Sequence, residues 1–221
     1  MIYGKRNALQ KVLGKVLKWI KGETSMEDKM TVSSGGYKLS VFRDDDAPNP
    51  RQWENLGRMV CWHRRYDLGD EHEFEEVTDF LESEEYKNAI VVLPVYMYDH
   101  SGLAFSTAPF ADKWDSRQVG FIYVTQEQAT EYFGREIKEQ DREGIKELLV
   151  DEVKTYDQYF QGDCYAFKIS DEFGKVVDED KGYFGNRITD VLKNMKDNVN
   201  VEFEGLFGKM EKHSSAYMAM M

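Results

Sequence analysis

The chain holds only two cysteines, Cys61 and Cys164, and four prolines in 221 residues. Two cysteines build no disulfide framework, which favours a reducing compartment. Each lies in an apolar-aromatic string, MVCWH or DCYAF, where a free buried thiol is the common outcome. Long hydrophobic runs are missing as well. The longest, from Ala89 to Tyr98, is too short to span a bilayer and contains Pro94. No GxxxxGK[ST], GxGxxG or GxSxG string occurs, which weighs against the commonest nucleotide-binding and hydrolase classes. Positive charge is scarce: 29 basic residues stand against 41 acidic ones, for a net charge of −12. That balance argues against direct nucleic-acid binding, because phosphate contacts need a basic surface. A cytoplasmic protein is expected, without cofactor or bound metal.

Aromatic residues are plentiful. Thirteen Tyr, thirteen Phe and four Trp supply enough buried area for one sizeable core, so a folded domain is expected over most of the chain.

Charge divides the chain unevenly. Residues 1–22 carry Lys5, Arg6, Lys11, Lys15, Lys18 and Lys21 and no acid. The remaining residues therefore hold 23 basic groups against all 41 acids, a balance of −18. Leu9, Val12, Leu13, Val16, Leu17 and Ile20 recur at helical steps, predicting a basic amphipathic helix over 1–22. Three readings apply to it: docking back onto the acidic body, contact of residues 5–21 with an anionic membrane, or a partner-binding arm. It lacks a small-residue cleavage site, so no signal peptide is expected. Residues 23–36, polar and ending Ser33-Ser34-Gly35-Gly36, read as a linker. The body is placed at 37–200, and 201–221 is taken as a frayed, Met-rich tail.

Within the body, residues 37–42, 89–98, 103–107, 118–125 and 164–169 read as strands, with 175–178 as a returning strand after Asp171-Glu172-Phe173-Gly174. Thr125 with Gln128 has capping-box spacing, and Gly134 closes the helix that follows. Longer helices are expected over 138–160, with Leu148 facing inward, over 188–195, and over the acidic stretch 71–87. Hairpins and helices in this order indicate an α+β fold, a single domain with a mainly antiparallel sheet and flanking helices.

The strings NPRQWENLGRMVCWHRRYDLGD (49–70), LPVYMYDHSGLAFST (93–107), WDSRQVGFIYV (114–124) and TYDQYFQGD (155–163) resemble a family of small proteins encoded by phages and other mobile elements of Gram-positive bacteria. The resemblance spans roughly residues 31–185 and excludes the basic helix. It implies a setting, a phage or prophage genome expressed inside a bacterial cell, and brings no catalytic residues with it.

Three constellations are candidates for chemistry or binding. Cys61, His63, Asp67, Asp70 and His72 hold metal-ligating atoms, but without the spacing of strong zinc motifs; a core cysteine beside a surface polar cluster explains them as well. Asp99 and His100, with Asp112 and Asp115, lie at loop edges where magnesium binding or acid/base work would be served, and where turn-forming is the plainer role. A hydrolase or nucleotide-processing enzyme would be built on His63, Asp99, His100 and Asp115. The third feature is acidic: nine carboxylates crowd Asp70 to Glu85. On a helix, Glu75, Asp79 and Glu82 would stand roughly 5–6 Å apart, close to the spacing of phosphates along a strand. Glu71, Glu75, Glu76, Asp79, Glu82 and Glu84 are thus expected to form a nucleic-acid-mimicking surface.

The leading expectation is an accessory protein, not an enzyme, that binds and inhibits or redirects a host bacterial protein, a defence or DNA-processing factor. Beside the metal-dependent enzyme stands a third reading, a sponge for a signalling nucleotide. There Trp62, Tyr66, Trp114, Tyr98 and Tyr123 would stack on bases, and Arg64, Arg65 and Arg117 would meet phosphate.

Overall fold

The computed structural model describes residues 30–218, apart from Ser101 and Lys113. The predicted basic helix over 1–22 lies outside the described residues. The fold is α+β, with two four-stranded sheets that both contain antiparallel pairs. The chain forms two compact units, dividing near residues 43, 165, 180 and 194.

The first unit contains most of a sheet ordered β1-β2-β7-β8: β1 Met30–Ser34, β2 Tyr37–Arg43, β7 Cys164–Ser170 and β8 Val176–Phe184. Residues 30–34, expected as linker, are a strand paired antiparallel with β2. Gly35 and Gly36 both have positive φ (62° and 82°), the conformation that a two-residue hairpin turn requires. What reads as a flexible glycine pair is therefore a tight connection.

The expected tail is likewise structured. A 3-10 turn, Val201–Phe203, leads into a helix, Glu204–Met218. Phe203, Leu206, Phe207, Met210 and Ser214 are buried at three- and four-residue steps along it. Tyr37 meets Phe203 edge-on at 5.1 Å, and Phe167 meets Phe207 at 5.3 Å.

The second unit carries the sheet β3-β6-β4-β5: β3 Arg58–Cys61, β4 Ala89–Asp99, β5 Leu103–Ser106 and β6 Ser116–Thr125. All its neighbours pair antiparallel. Its helices are α1 Val77–Glu82, α2 Glu84–Lys87, α3 Gln126–Phe133 and α4 Arg142–Gln161. Two further helices follow among the described residues: α5, Ile188–Asn198, and α6, the helix Glu204–Met218 described above.

Strand β6 is apolar throughout its second half because both of its faces are covered. Ile122 and Val124 join Met59, Leu149, Val153 and Tyr156 in the core beneath α4. On the opposite face Tyr123 packs with Val60 and Phe80. Both faces are therefore apolar.

Helix α3 starts as its sequence requires. The Thr125 hydroxyl accepts from Gln128 N at 3.2 Å, and the Gln128 side chain accepts from Thr125 N at 2.9 Å. Gly134 then ends the helix in the left-handed region. In α4 the buried stripe is Ile145, Leu149, Val153 and Tyr156. Leu148 falls off that stripe and is exposed, contrary to the expectation from its apolar character.

The acidic stretch is not one helix. Residues 71–76 lie outside any helix, with His72 and Phe74 turned partly inward and Glu71, Glu73 and Glu75 outward. The carbonyls of Glu71 and Phe74 accept from the side chains of Arg58 (3.1 Å) and Trp62 (3.1 Å), outside any helical ladder. Crowded like charges at helical spacing also disfavour a helix here. Ser83 breaks the remainder into α1 and α2, accepting from Tyr86 N to cap the second.

Candidate functional site

The 49–72 segment wraps the open edge of β3 and lines a cleft of about 680 Å³. Beneath it lies an ionic network. Arg51 is buried and donates twice to Asp70, from Nε at 2.9 Å and Nη2 at 2.7 Å. Its Nη1 donates to Glu152 at 2.8 Å and its Nη2 to the Gly57 carbonyl at 2.6 Å. Glu152 in turn accepts from Leu56 N (2.8 Å) and Gly57 N (3.1 Å), and Asp70 accepts from Met59 N (2.7 Å).

Burial opposes the charge on Arg51, but the two carboxylates outweigh it and hold the guanidinium pKa above its ordinary value. Each member is satisfied by another member or by backbone, so the network fixes the loop, β3 and α4 together.

Cys61 borders the same cleft. Burial, reinforced by Asp70 and partly offset by Arg51, pushes its thiol up to about 12. Cys164 is also free and is raised to about 12, by burial and then Asp44. Neither thiol is a ready nucleophile at neutral pH. His72 donates from Nε2 to the Cys61 carbonyl at 3.1 Å, and its buried Nδ1 has no hydrogen-bond partner among the described residues. The Cys61/His63/Asp67/Asp70/His72 constellation thus resolves into a core cysteine, a carboxylate engaged by Arg51, and a histidine held by backbone.

At one end of the sheet, sequence-distant residues meet: the exit of β3, the exit of β4 and the entry of β6. Here Arg65 pairs with Asp99, and Arg117 donates to His63 Nε2. His100 pairs with Asp115 at 2.8 Å, and Asp115 accepts from Asp99 N through its carbonyl at 3.0 Å. His63 stacks on Tyr66, with ring centroids 4.9 Å apart and planes 9° from parallel.

Burial, then Arg117 and Arg65, lower the His63 pKa against the pull of Asp99. The backbone N–H of Arg65 lies 3.3 Å from Nδ1 and the Arg117 guanidinium meets Nε2; both are donors, and the neutral ring, with one acceptor nitrogen, accepts from one of them at a time.

The four proposed enzyme residues, His63, Asp99, His100 and Asp115, are brought to this one sheet end. Each is engaged by a neighbour. Among the described residues no three His, Cys, Asp or Glu side chains converge as metal ligands do.

The aromatic candidates separate. Trp62 donates to the Phe74 carbonyl and packs against His72 and Phe80. Tyr123 is fully buried and offers no stacking face, which corrects its assignment as a base-stacking residue. Trp114 stands 96% exposed, two residues before β6. Arg64 is exposed, beside Arg117.

The acidic candidates Glu71, Glu75, Glu76, Asp79, Glu82 and Glu84 are all exposed. Asp79 also accepts from Glu76 N at 2.8 Å and so anchors the start of α1. Phe80 pins this segment to the sheet, with ring contacts to Phe74, Tyr86, Phe121 and Tyr123 at 4.9–5.5 Å. Val77, Leu81 and Tyr86 are exposed among the carboxylates.

Sequence reasoning missed Arg51, Glu152 and Tyr156. Arg51 and Glu152 lie 101 positions apart, and no local pattern marks either one. Tyr156 reads as a core aromatic of α4, yet its hydroxyl accepts from Gly69 N at 3.0 Å.

No protein-family model matches the chain, and no curated protein or solved structure matches it.

Proposed function

We propose that this protein is a binding protein rather than an enzyme, and that its acidic segment 71–85 engages a basic surface on a host bacterial protein in the cytoplasm. The observation that carries this reading is the display of that segment: Phe80 holds it to the sheet while the carboxylates around it face solvent. Exposed Val77, Leu81 and Tyr86 supply the apolar contact that charge alone does not provide.

The break at residues 71–76 changes the geometry of the mimicry but keeps its electrostatics. Carboxylates project from a non-helical run and two short helices, and their summed field steers a basic partner. A defence or DNA-processing factor with a nucleic-acid cleft is the partner class that fits, in keeping with the phage setting the sequence resemblance implies. Engagement of every candidate catalytic side chain by a neighbour supports a non-enzymatic reading.

The test is charge reversal at Glu71, Glu73, Glu82 and Glu84. Glu76 and Asp79 are spared because they meet at the start of α1. The unaltered protein is expected to capture a partner from a Gram-positive lysate, and the fourfold Lys variant is expected to lose it. Equal capture by both would sink the acidic-surface reading.

A further inference from the structure

A second surface differs in sign. Where β3 ends and β6 begins, a cavity of about 580 Å³ is lined by Trp62, His63, Arg64, Glu75, Arg117 and Gln118, with Cys61 at its floor. Two arginines, Arg64 and Arg117, line it in a protein of net charge −12. Arg117 makes no ion pair among the described residues, and its hydrogen bond goes to a neutral imidazole. Arg64 has neither a hydrogen bond nor an ion pair among them. By contrast Arg51, Arg65, Arg135, Arg142 and Arg187 all meet carboxylates.

We propose that this cavity binds a small phosphomonoester, with Arg64 and Arg117 holding the phosphate and Glu75 accepting from a hydroxyl or amino group of the same molecule. A nucleoside monophosphate has that chemistry. Guanidinium suits the phosphate because its fork of N–H donors matches two oxygens at once. Glu75, on the same cavity, repels a bare anion and favours a ligand that brings its own donor.

Cavities of this volume hold molecules of nucleotide size. The strong negative charge of the whole protein penalises a polyanion far more than a small anion, so the ligand is a free nucleotide and not a strand end. His63 beside the site has its pKa lowered first by burial and then by Arg117 and Arg65, against the pull of Asp99. This site shares Glu75 with the acidic segment, but Arg64 and Arg117 lie outside that segment, so arginine substitutions test this site apart from the acidic surface.

Titration calorimetry on the full chain tests it, with AMP, inorganic pyrophosphate and a 5′-phosphorylated oligonucleotide as probes. AMP is expected to bind, and Arg117→Ala and Arg64→Ala each to weaken it about tenfold or more. Glu75→Gln is expected to weaken AMP while strengthening pyrophosphate. Arg117→Lys, which keeps the charge, is expected to fall between wild type and Arg117→Ala, and it carries the test if the alanine variant does not fold. No AMP binding at millimolar concentration, or binding by Arg64→Ala and Arg117→Lys as tight as that of the wild type, overturns the proposal. Tighter binding of the oligonucleotide than of AMP overturns it in favour of a strand end.

Discussion

Arg51 grips Asp70 through two parallel hydrogen bonds, 2.9 and 2.7 Å long, beneath the cleft that the 49–72 segment builds. The same guanidinium reaches Glu152 on α4, so one buried cation joins three stretches of chain. A buried ion pair adds little net stability over an apolar substitute, but removing one partner strands the other charge.

Arg51→Met should therefore destabilise strongly, by about 3–5 kcal/mol, because it leaves Asp70 and Glu152 uncompensated. Urea unfolding followed by tryptophan fluorescence measures this. A double-mutant cycle between Arg51→Met and Glu152→Gln should show clear coupling. A shift below about 0.5 kcal/mol for Arg51→Met, the size of an ordinary surface change, would contradict the network's role.

Gly120 and Gly144 should respond in opposite senses to alanine. A Cβ on Gly120 would lie 2.0 Å from the Val60 carbonyl oxygen, which forces β3 and β6 apart. Gly120→Ala is expected to cost about 1–3 kcal/mol or more. At Gly144, in the first turn of α4, an added Cβ meets nothing within 4 Å. There the gain in helix propensity should stabilise by about 0.5–1 kcal/mol. Thermal unfolding of the two variants checks both signs.

Phe80→Ala should cost about 3–5 kcal/mol, since Phe80 is fully buried among aromatic rings. Its particular consequence is release of α1, which hydrogen exchange would register as lost protection over 77–82.

Stability should fall in alkali. Cys61 and Cys164 are raised from 9.0 to about 12, and Tyr156 from 10.0 to about 12, in each case chiefly by burial. Between these limits the unfolded chain has released protons that the fold retains, so raising the pH favours unfolding. Stability from these groups is complete below pH 9 and is lost progressively toward pH 12. Denaturant midpoints from pH 8 upward measure the decline, and both thiols should resist alkylation at pH 8 until the chain unfolds. Rapid labelling of the folded protein would contradict their burial.

Much of the second sheet was legible because its signals are local. The apolar β6 string, the Thr125–Gln128 box, Gly134 and the turn between β4 and β5 each act within a few residues. Misreadings arose where one composition serves two structures. Gly35-Gly36 suits a linker as well as a tight hairpin, and only pairing with β2 decides between them. Residues 71–75 alternate Glu-His-Glu-Phe-Glu, a strand-like pattern concealed by helical spacing further along. Gly205 and Gly208 lower helix propensity in α6, where burial of Phe203, Leu206, Phe207 and Met210 prevails.

The candidate sites were legible only as residue types. His63, Asp99 and Asp115 were recognisable as polar groups near loop edges. Their meeting depends on the register that places Cys61 opposite Gly120 and Tyr98 opposite Ser116. Arg51 and Glu152 left no trace in the sequence pattern, since a buried salt link over 101 positions has no period.

Competition with duplex DNA tests the central claim most directly. The captured host partner is held on immobilised protein and challenged with short duplexes at fixed salt. If segment 71–85 occupies a nucleic-acid cleft, rising DNA concentration displaces the partner, and higher salt weakens the original complex. A partner that stays bound under excess DNA and through a rise in salt would contradict the account.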